Sequence, residues 1–201
     1  RAMAAACADA PTSMAAVVGG EEAAVLDRIH ELGLYAATFN GPGQIVAAGA
    51  TEALERLAAA PPHSATVKPL QVAGAFHTPY MESARLAVAA AAERTPFRQP
   101  TGTLLSNADG AAVREPDDIR RRLVDQVVRP VRWDLCMESL GRIAPEVTVC
   151  LPPARTLAGI FKRRLPELAV VCVTAPRDLD KARVRIGAAV AWKEDLVHAG
   201  V

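Results

Sequence analysis

The 201 residues, 51% hydrophobic and 22% charged, can build a packed core, which excludes a disordered chain and suits one ordinary domain or two small ones. A formal net charge of +1 gives no overall field that would gather nucleic acid. No apolar run reaches the ~18 residues that cross a bilayer, and the opening residues, Arg1 to Pro11, lack the apolar stretch of a signal peptide.

Met14 to Val18 is a short apolar run closed by Gly19-Gly20, and reads as a strand. Glu21 to Leu32 places Val25, Ile29 and Leu32 at helical spacing, with acids in the first turn where the helix dipole favours them. Tyr35 to Phe39 and Gln44 to Ala48 are short strands joined by the turn residues Asn40-Gly41-Pro42-Gly43. Thr51 is the expected N-cap of a helix through Ala60, ended by Pro61-Pro62. Val67 to Val72 completes a βαββαβ unit, the ferredoxin-like arrangement.

Beyond His77 helices alternate with short strands. Ser83 to Arg94 reads as a helix, Leu104 to Asn107 as a buried strand before the Asp109-Gly110 turn, and Asp117 to Val128 and Trp133 to Arg142 as helices divided by Pro130. Val147 to Leu151 and Ala169 to Val173 flank a helix from Ala154 to Arg164, and Pro176 opens a last helix with Leu179, Ala182, Ile186 and Val190 on one face. The class is α/β. Cys7, Cys136, Cys150 and Cys172 form no C-x-x-C, and with four dispersed histidines they give no zinc spacing. Reduced, buried cysteines in a cytoplasmic protein without metal or cofactor are the expectation.

The chemistry concentrates in Gly74-Ala75-Phe76-His77-Thr78-Pro79-Tyr80-Met81, where a histidine is expected at a strand exit ahead of a proline-restricted turn. Three further stretches accompany it: Phe39 to Gly49, Leu123 to Trp133, and Thr156-Leu157-Ala158-Gly159 with Lys162-Arg163. In order and spacing these four resemble the motifs of the malonyl-CoA:acyl-carrier-protein transacylase family. The resemblance covers the C-terminal two-thirds of such an enzyme and nearly all of this chain.

It implies a helix remnant at 1–11, a ferredoxin-like small subdomain at 12–72, and at 73–201 the C-terminal portion of the large α/β-hydrolase-like acyltransferase subdomain. It also implies transfer of malonyl from coenzyme A to the phosphopantetheine thiol of acyl carrier protein, in fatty-acid synthesis, by a ping-pong route. A serine attacks the thioester, and His77 takes its proton as general base; an unactivated hydroxyl is a poor nucleophile and imidazole titrates near neutrality. The carbonyl of Gln126 should accept from Nδ1 of His77; a solvated Gln126 side chain on a helix is compatible with that. Asn40 would line the cleft or serve simply as a turn residue. Phe76 would disfavour a 2-methyl branch on the acyl group, a misfit of ~1–3 kcal/mol, or be a core aromatic.

Lys162, Arg163 and Arg164, and less so Arg120 to Arg122, are either solvated helix faces or a docking patch for an acidic carrier protein. None of the five serines sits in G-x-S-x-G, and Arg1 falls two residues past the family's malonyl-gripping arginine. The chain alone is therefore expected to be inactive, and the complete protein monomeric. Cys150-Leu151-Pro152-Pro153-Ala154 replaces the family's Glu-Val-Gly-Pro-Gly, and Arg129 its asparagine. A polyketide synthase acyltransferase domain and a non-catalytic carrier-binding module are the alternatives.

Overall fold

The two central strands of the main sheet are apolar on both faces, and the structure supplies a cover for each face. The computed structural model describes the backbone of residues 1–198 and the side chains of residues 1–188. The chain forms two compact units, Arg1–Cys136 and Met137–Val201.

In the first unit, helix α1 (Ala2–Ala6) precedes strand β1 (Thr12–Gly19), helix α2 (Glu22–Glu31), strands β2 (Tyr35–Phe39) and β3 (Gln44–Ala50), helix α3 (Thr51–Ala59) and strand β4 (Ala65–Pro69). The strand order is β4-β1-β3-β2, with all neighbours antiparallel. Two interleaved βαβ units give this order, because each helix carries the chain across one intervening strand. Period-two alternation then sorts the side chains. Ala15, Val17, Ile45 and Ala47 face Val25 and Ile29 of α2 and Leu54 and Leu57 of α3. Met14, Val46 and Ala48 face the other way, towards Ala75 and the partly buried Leu70 and Phe76. Leu57 is fully buried, so Leu57→Ala should cost about 2–5 kcal/mol through the cavity it leaves.

Helix α4 (Glu82–Glu93) follows and packs on α1. Strands β5 (Leu104–Leu105) and β6 (Ala112–Val113) make a separate antiparallel pair across Asp109-Gly110. Helix α5 (Pro116–Asp125) leads to β7 (Val131–Arg132), which joins the main sheet parallel to β2. Helix α6 (Trp133–Ile143) runs across the division between the units.

The second unit holds strand β8 (Thr148–Cys150), helix α7 (Ala154–Arg164), strand β9 (Val170–Cys172) and helix α8 (Leu179–His198). The two strands are parallel, with α7 as their crossover. No helix among the described residues is long and apolar enough to cross a membrane.

Several local expectations change. Thr51 is not the cap of α3: Ala50 holds that position, and the Thr51 hydroxyl donates to the carbonyl of Pro11 (3.2 Å), tying the helix start to the entry of β1. The fourth strand covers 65–69, not 67–72, and the Leu70 N–H still reaches the carbonyl of Met14 (2.9 Å) as the chain turns away. Leu104 is exposed, because its two-stranded sheet has no cover on that side chain. Helix α5 stops at Asp125, ahead of Pro130, which cannot continue a helix. Cys7 and Cys172 are only partly buried, whereas Cys136 and Cys150 are buried. On α8, Ala182 is buried but Leu179 and Ile186 are exposed, and the side chain of Val190 lies outside the described residues.

Candidate active site

Beyond Pro69 the chain crosses the second face of the main sheet, and this loop carries His77. Three contacts fix it. The buried N–H of Ala75 donates to the hydroxyl of Thr12 (3.1 Å), at the start of β1. The buried Thr78 hydroxyl donates to the carbonyl of Ala75 (2.6 Å) and accepts from the N–H of Tyr80 (3.3 Å), so one side chain closes the loop and caps the 3-10 turn Pro79–Met81. Gly74 lies against Cys7: a Cβ at that position would be 2.5 Å from the Cys7 sulfur. Only glycine leaves room for the segment to approach α1 this closely.

Between these fixed points His77 has φ 61. A left-handed backbone is costly for a residue with a side chain, and persists where the surroundings enforce it. Here Ala75 and Thr78 are pinned on either side. His77 does not stand at the strand exit the sequence suggested; it lies in the loop, past the end of β4 at Pro69.

The partly buried ring turns its Nδ1 to the carbonyl oxygen of Gln126, 2.8 Å away. A carbonyl only accepts, so Nδ1 must carry the proton and the neutral ring presents Nε2 as its basic nitrogen. Gln126 is the C-cap of α5, where a carbonyl has no helical donor and is open to another partner. Its side chain donates from Nε2 to the carbonyls of Arg129 (2.9 Å) and Pro130 (3.0 Å), fastening the turn that leads into β7. The amide is thus engaged with the backbone rather than solvated.

That turn connects His77 to the hairpin of Asn40. Thr38 and Phe39 at the end of β2 pair with Val131 and Arg132 of β7. The Arg132 guanidinium lies 4.8 Å above the Phe39 ring and donates from Nε and Nη2 to the carboxylate of Asp134. Asn40 follows directly, and its N–H donates to the carbonyl of Gln44 (3.0 Å), closing the β2–β3 turn. Its side chain is half-buried. The Phe76 ring is partly buried and packs in two clusters at once, that of Met14, Ala37 and Ala48 and that of Ala6, Met81 and Ala84.

Lys162, Arg163 and Arg164 lie exposed in the last turn of α7, in the second unit, where cations complement the helix carbonyls. Arg164 also lies 3.6 Å from Glu138. Arg120 to Arg122 are engaged with Asp117 and Asp118 in the first turn of their own helix and with Asp109 in the β5–β6 turn. Sequence reasoning missed Thr12, Cys7, Thr78 and Arg132 as the residues that shape the site. Thr78-Pro79 ahead of a helix was a capping signal in the sequence; the others meet their partners only through the fold.

No family model matches the chain. It is 50% identical over 182 residues to the malonyl CoA-acyl carrier protein transacylase of Mycolicibacterium smegmatis, covering 89% of this chain and 63% of the relative. The transacylase of Mycobacterium tuberculosis is 49% identical over 179 residues, with 89% and 59% covered. Among solved structures, that of MCAT from M. tuberculosis superposes with a TM-score of 0.85 at 48% identity, covering 90% of this chain and 60% of its own. A malonyl-transacylase solved in complex with a type II PKS acyl-carrier protein gives a TM-score of 0.80 at 27% identity, again with 90% and 60% covered. The chain spans about three-fifths of the length of these relatives. In sequence and in fold the chain is therefore similar, over about three-fifths of their length, to malonyl CoA-acyl carrier protein transacylases.

Proposed function

We propose that these residues supply the general-base half of a malonyl-CoA:acyl-carrier-protein transacylase. The 2.8 Å contact between Nδ1 of His77 and the Gln126 carbonyl carries the reading. It fixes the tautomer in which Nε2 can take a proton from a serine hydroxyl, release it to the departing thiolate of coenzyme A, and repeat the cycle when the carrier thiol attacks malonyl-serine. A main-chain carbonyl orients the ring as the carboxylate does in a triad. It lacks a full negative charge, so orientation is its contribution.

The transacylase names of the relatives and the carrier protein bound to one of them support malonyl-CoA and acyl carrier protein as substrates. In this reading residues 12–72 are the ferredoxin-like subdomain, Asn40 borders the cleft from its hairpin, Phe76 limits the acyl pocket, and Lys162 to Arg164 offer cations to an acidic carrier. Among the 201 residues no serine occupies G-x-S-x-G, so the chain by itself should take no covalent malonyl group.

The test joins the coding sequence to the portion of the M. smegmatis relative that this chain does not match. It measures transfer of labelled malonyl to holo carrier protein, with circular dichroism to establish that each protein is folded. The joined protein should transfer, its His77→Ala variant should lose at least about 10²-fold in rate, and the unjoined chain should retain no label. A folded His77→Ala variant with undiminished transfer would refute the assignment.

A further inference from the structure

The second unit brings together two cysteines that the sequence keeps far apart. Strands β8 and β9 pair in parallel with Thr148 beside Val170, Val149 beside Val171, and Cys150 beside Cys172. Residues in register on neighbouring strands present their side chains to the same face. Val149 and Val171 belong to the cluster that packs on Ala182 of α8, so by alternation the two thiols share the opposite face. The N–H of Val173 donates to the carbonyl of Cys150 (2.9 Å), holding this register at the strand ends.

Adjacent strands lie about 4.8 Å apart, inside the roughly 4.4–6.8 Å between Cα atoms that a disulfide bridges. The two thiols are near enough to sense each other's charge: burial first, and then Cys172, push the Cys150 thiol above its ordinary range. Cys150 is 4% exposed, whereas Cys172 is only partly buried. Cys172 is the more accessible of the two, and Cys150 lies buried beside it.

We propose that Cys150 and Cys172 form a vicinal dithiol that a peroxide oxidises reversibly to a disulfide joining β8 to β9. The Cys172 thiolate attacks the peroxide, breaking the O–O bond, and becomes a sulfenic acid as water leaves. The Cys150 sulfur then displaces the sulfenic oxygen, forming the S–S bond and releasing a second water. The two sulfurs together give up two electrons, which the peroxide receives. A thiol or phosphine reductant reverses the change. The same spacing suits a trivalent arsenical, which closes a ring through two sulfurs and holds a lone thiol far less firmly.

The test uses the full reduced chain treated with hydrogen peroxide, alkylated, and digested with trypsin without reduction. The expected product is one peptide pair, 143–155 joined to 165–177, two hydrogens lighter than the separate peptides and released by reductant. Cys172→Ser should abolish it, and because Cys172 is only partly buried this variant is the one expected to keep its fold. Phenylarsine oxide should bind the untreated chain one to one and fail to bind Cys172→Ser. The proposal is overturned if peroxide leaves Cys150 alkylatable while Cys172 passes to sulfinic acid. It is equally overturned if the disulfides found join Cys7, Cys136 or two chains, or if arsenical binding survives in Cys172→Ser.

Discussion

Replacing His77 by alanine and by glycine separates what the ring does from what the backbone endures. Both variants lose the imidazole and its bond to Gln126, so that loss cancels in the comparison. They differ in the Cβ, which at φ 61 crowds the neighbouring carbonyl oxygen. A left-handed conformation costs a residue with a side chain roughly 1–2 kcal/mol. Glycine escapes this cost but gives the unfolded chain extra freedom worth about 0.4–1 kcal/mol. Subtracting at the middle of the two ranges leaves the glycine variant more stable than the alanine variant by about 0.8 kcal/mol, the reverse of their order in ordinary helix or strand. Urea unfolding measures it: with a slope of about 2 kcal/mol/M, the midpoints should differ by roughly 0.3–0.5 M. An alanine variant as stable as the glycine variant, or more so, would show that the loop does not force His77 into this conformation.

Other perturbations probe the supports of the same loop and one cap beyond it. Thr78→Val should lose about 1–3 kcal/mol in urea unfolding, because the buried Ala75 carbonyl loses its donor and the Tyr80 N–H its acceptor. Gly74→Ala should cost about 1–3 kcal/mol by driving a Cβ into the Cys7 sulfur, and Cys7→Ala should recover much of it, a coupling of at least about 0.5 kcal/mol in a double-mutant cycle. At the start of α8, donation from the Thr174 hydroxyl, then from its N–H and that of Ala175, holds the Asp178 carboxyl at about 2. A carboxyl depressed in this way stabilises the fold above its unfolded value near 3.9 and ceases to do so as pH falls through about 2. A carboxyl-carbon NMR titration should therefore place its midpoint near 2, and Thr174→Val should move it upward.

Local pattern revealed the elements, and the fold decided their ends and their partners. Val25 and Ile29 were readable because a 3.6-residue stripe must face a core. The run of Ala15 to Val17 and Ile45 to Ala48 has no strict alternation, since both faces of those strands are covered. Thr51 looked like a cap because threonine is a common one; its hydroxyl instead meets Pro11, forty residues away in sequence, which no local rule reveals. The short strand at Val131-Arg132 was missed because two residues give no period, and its place beside β2 comes from the sheet edge and the Arg132–Phe39 contact. His77 and Gln126 were paired in advance by resemblance to a family. Periodicity could not have paired them, and the positive φ of His77 left no mark in the sequence. Cys150 and Cys172 seemed scattered for the same reason: strand register is a tertiary fact.

The most direct measurement is a long-range nitrogen–proton NMR correlation on the histidine-labelled chain, above the pH at which the rings are neutral, with His77→Asn identifying its signals among the four histidines. The neutral His77 ring should carry its proton on Nδ1 and show an unprotonated Nε2, although free imidazole side chains favour the opposite tautomer. A proton on Nε2 would contradict the bond to Gln126 and leave the ring unable to accept one from a serine hydroxyl.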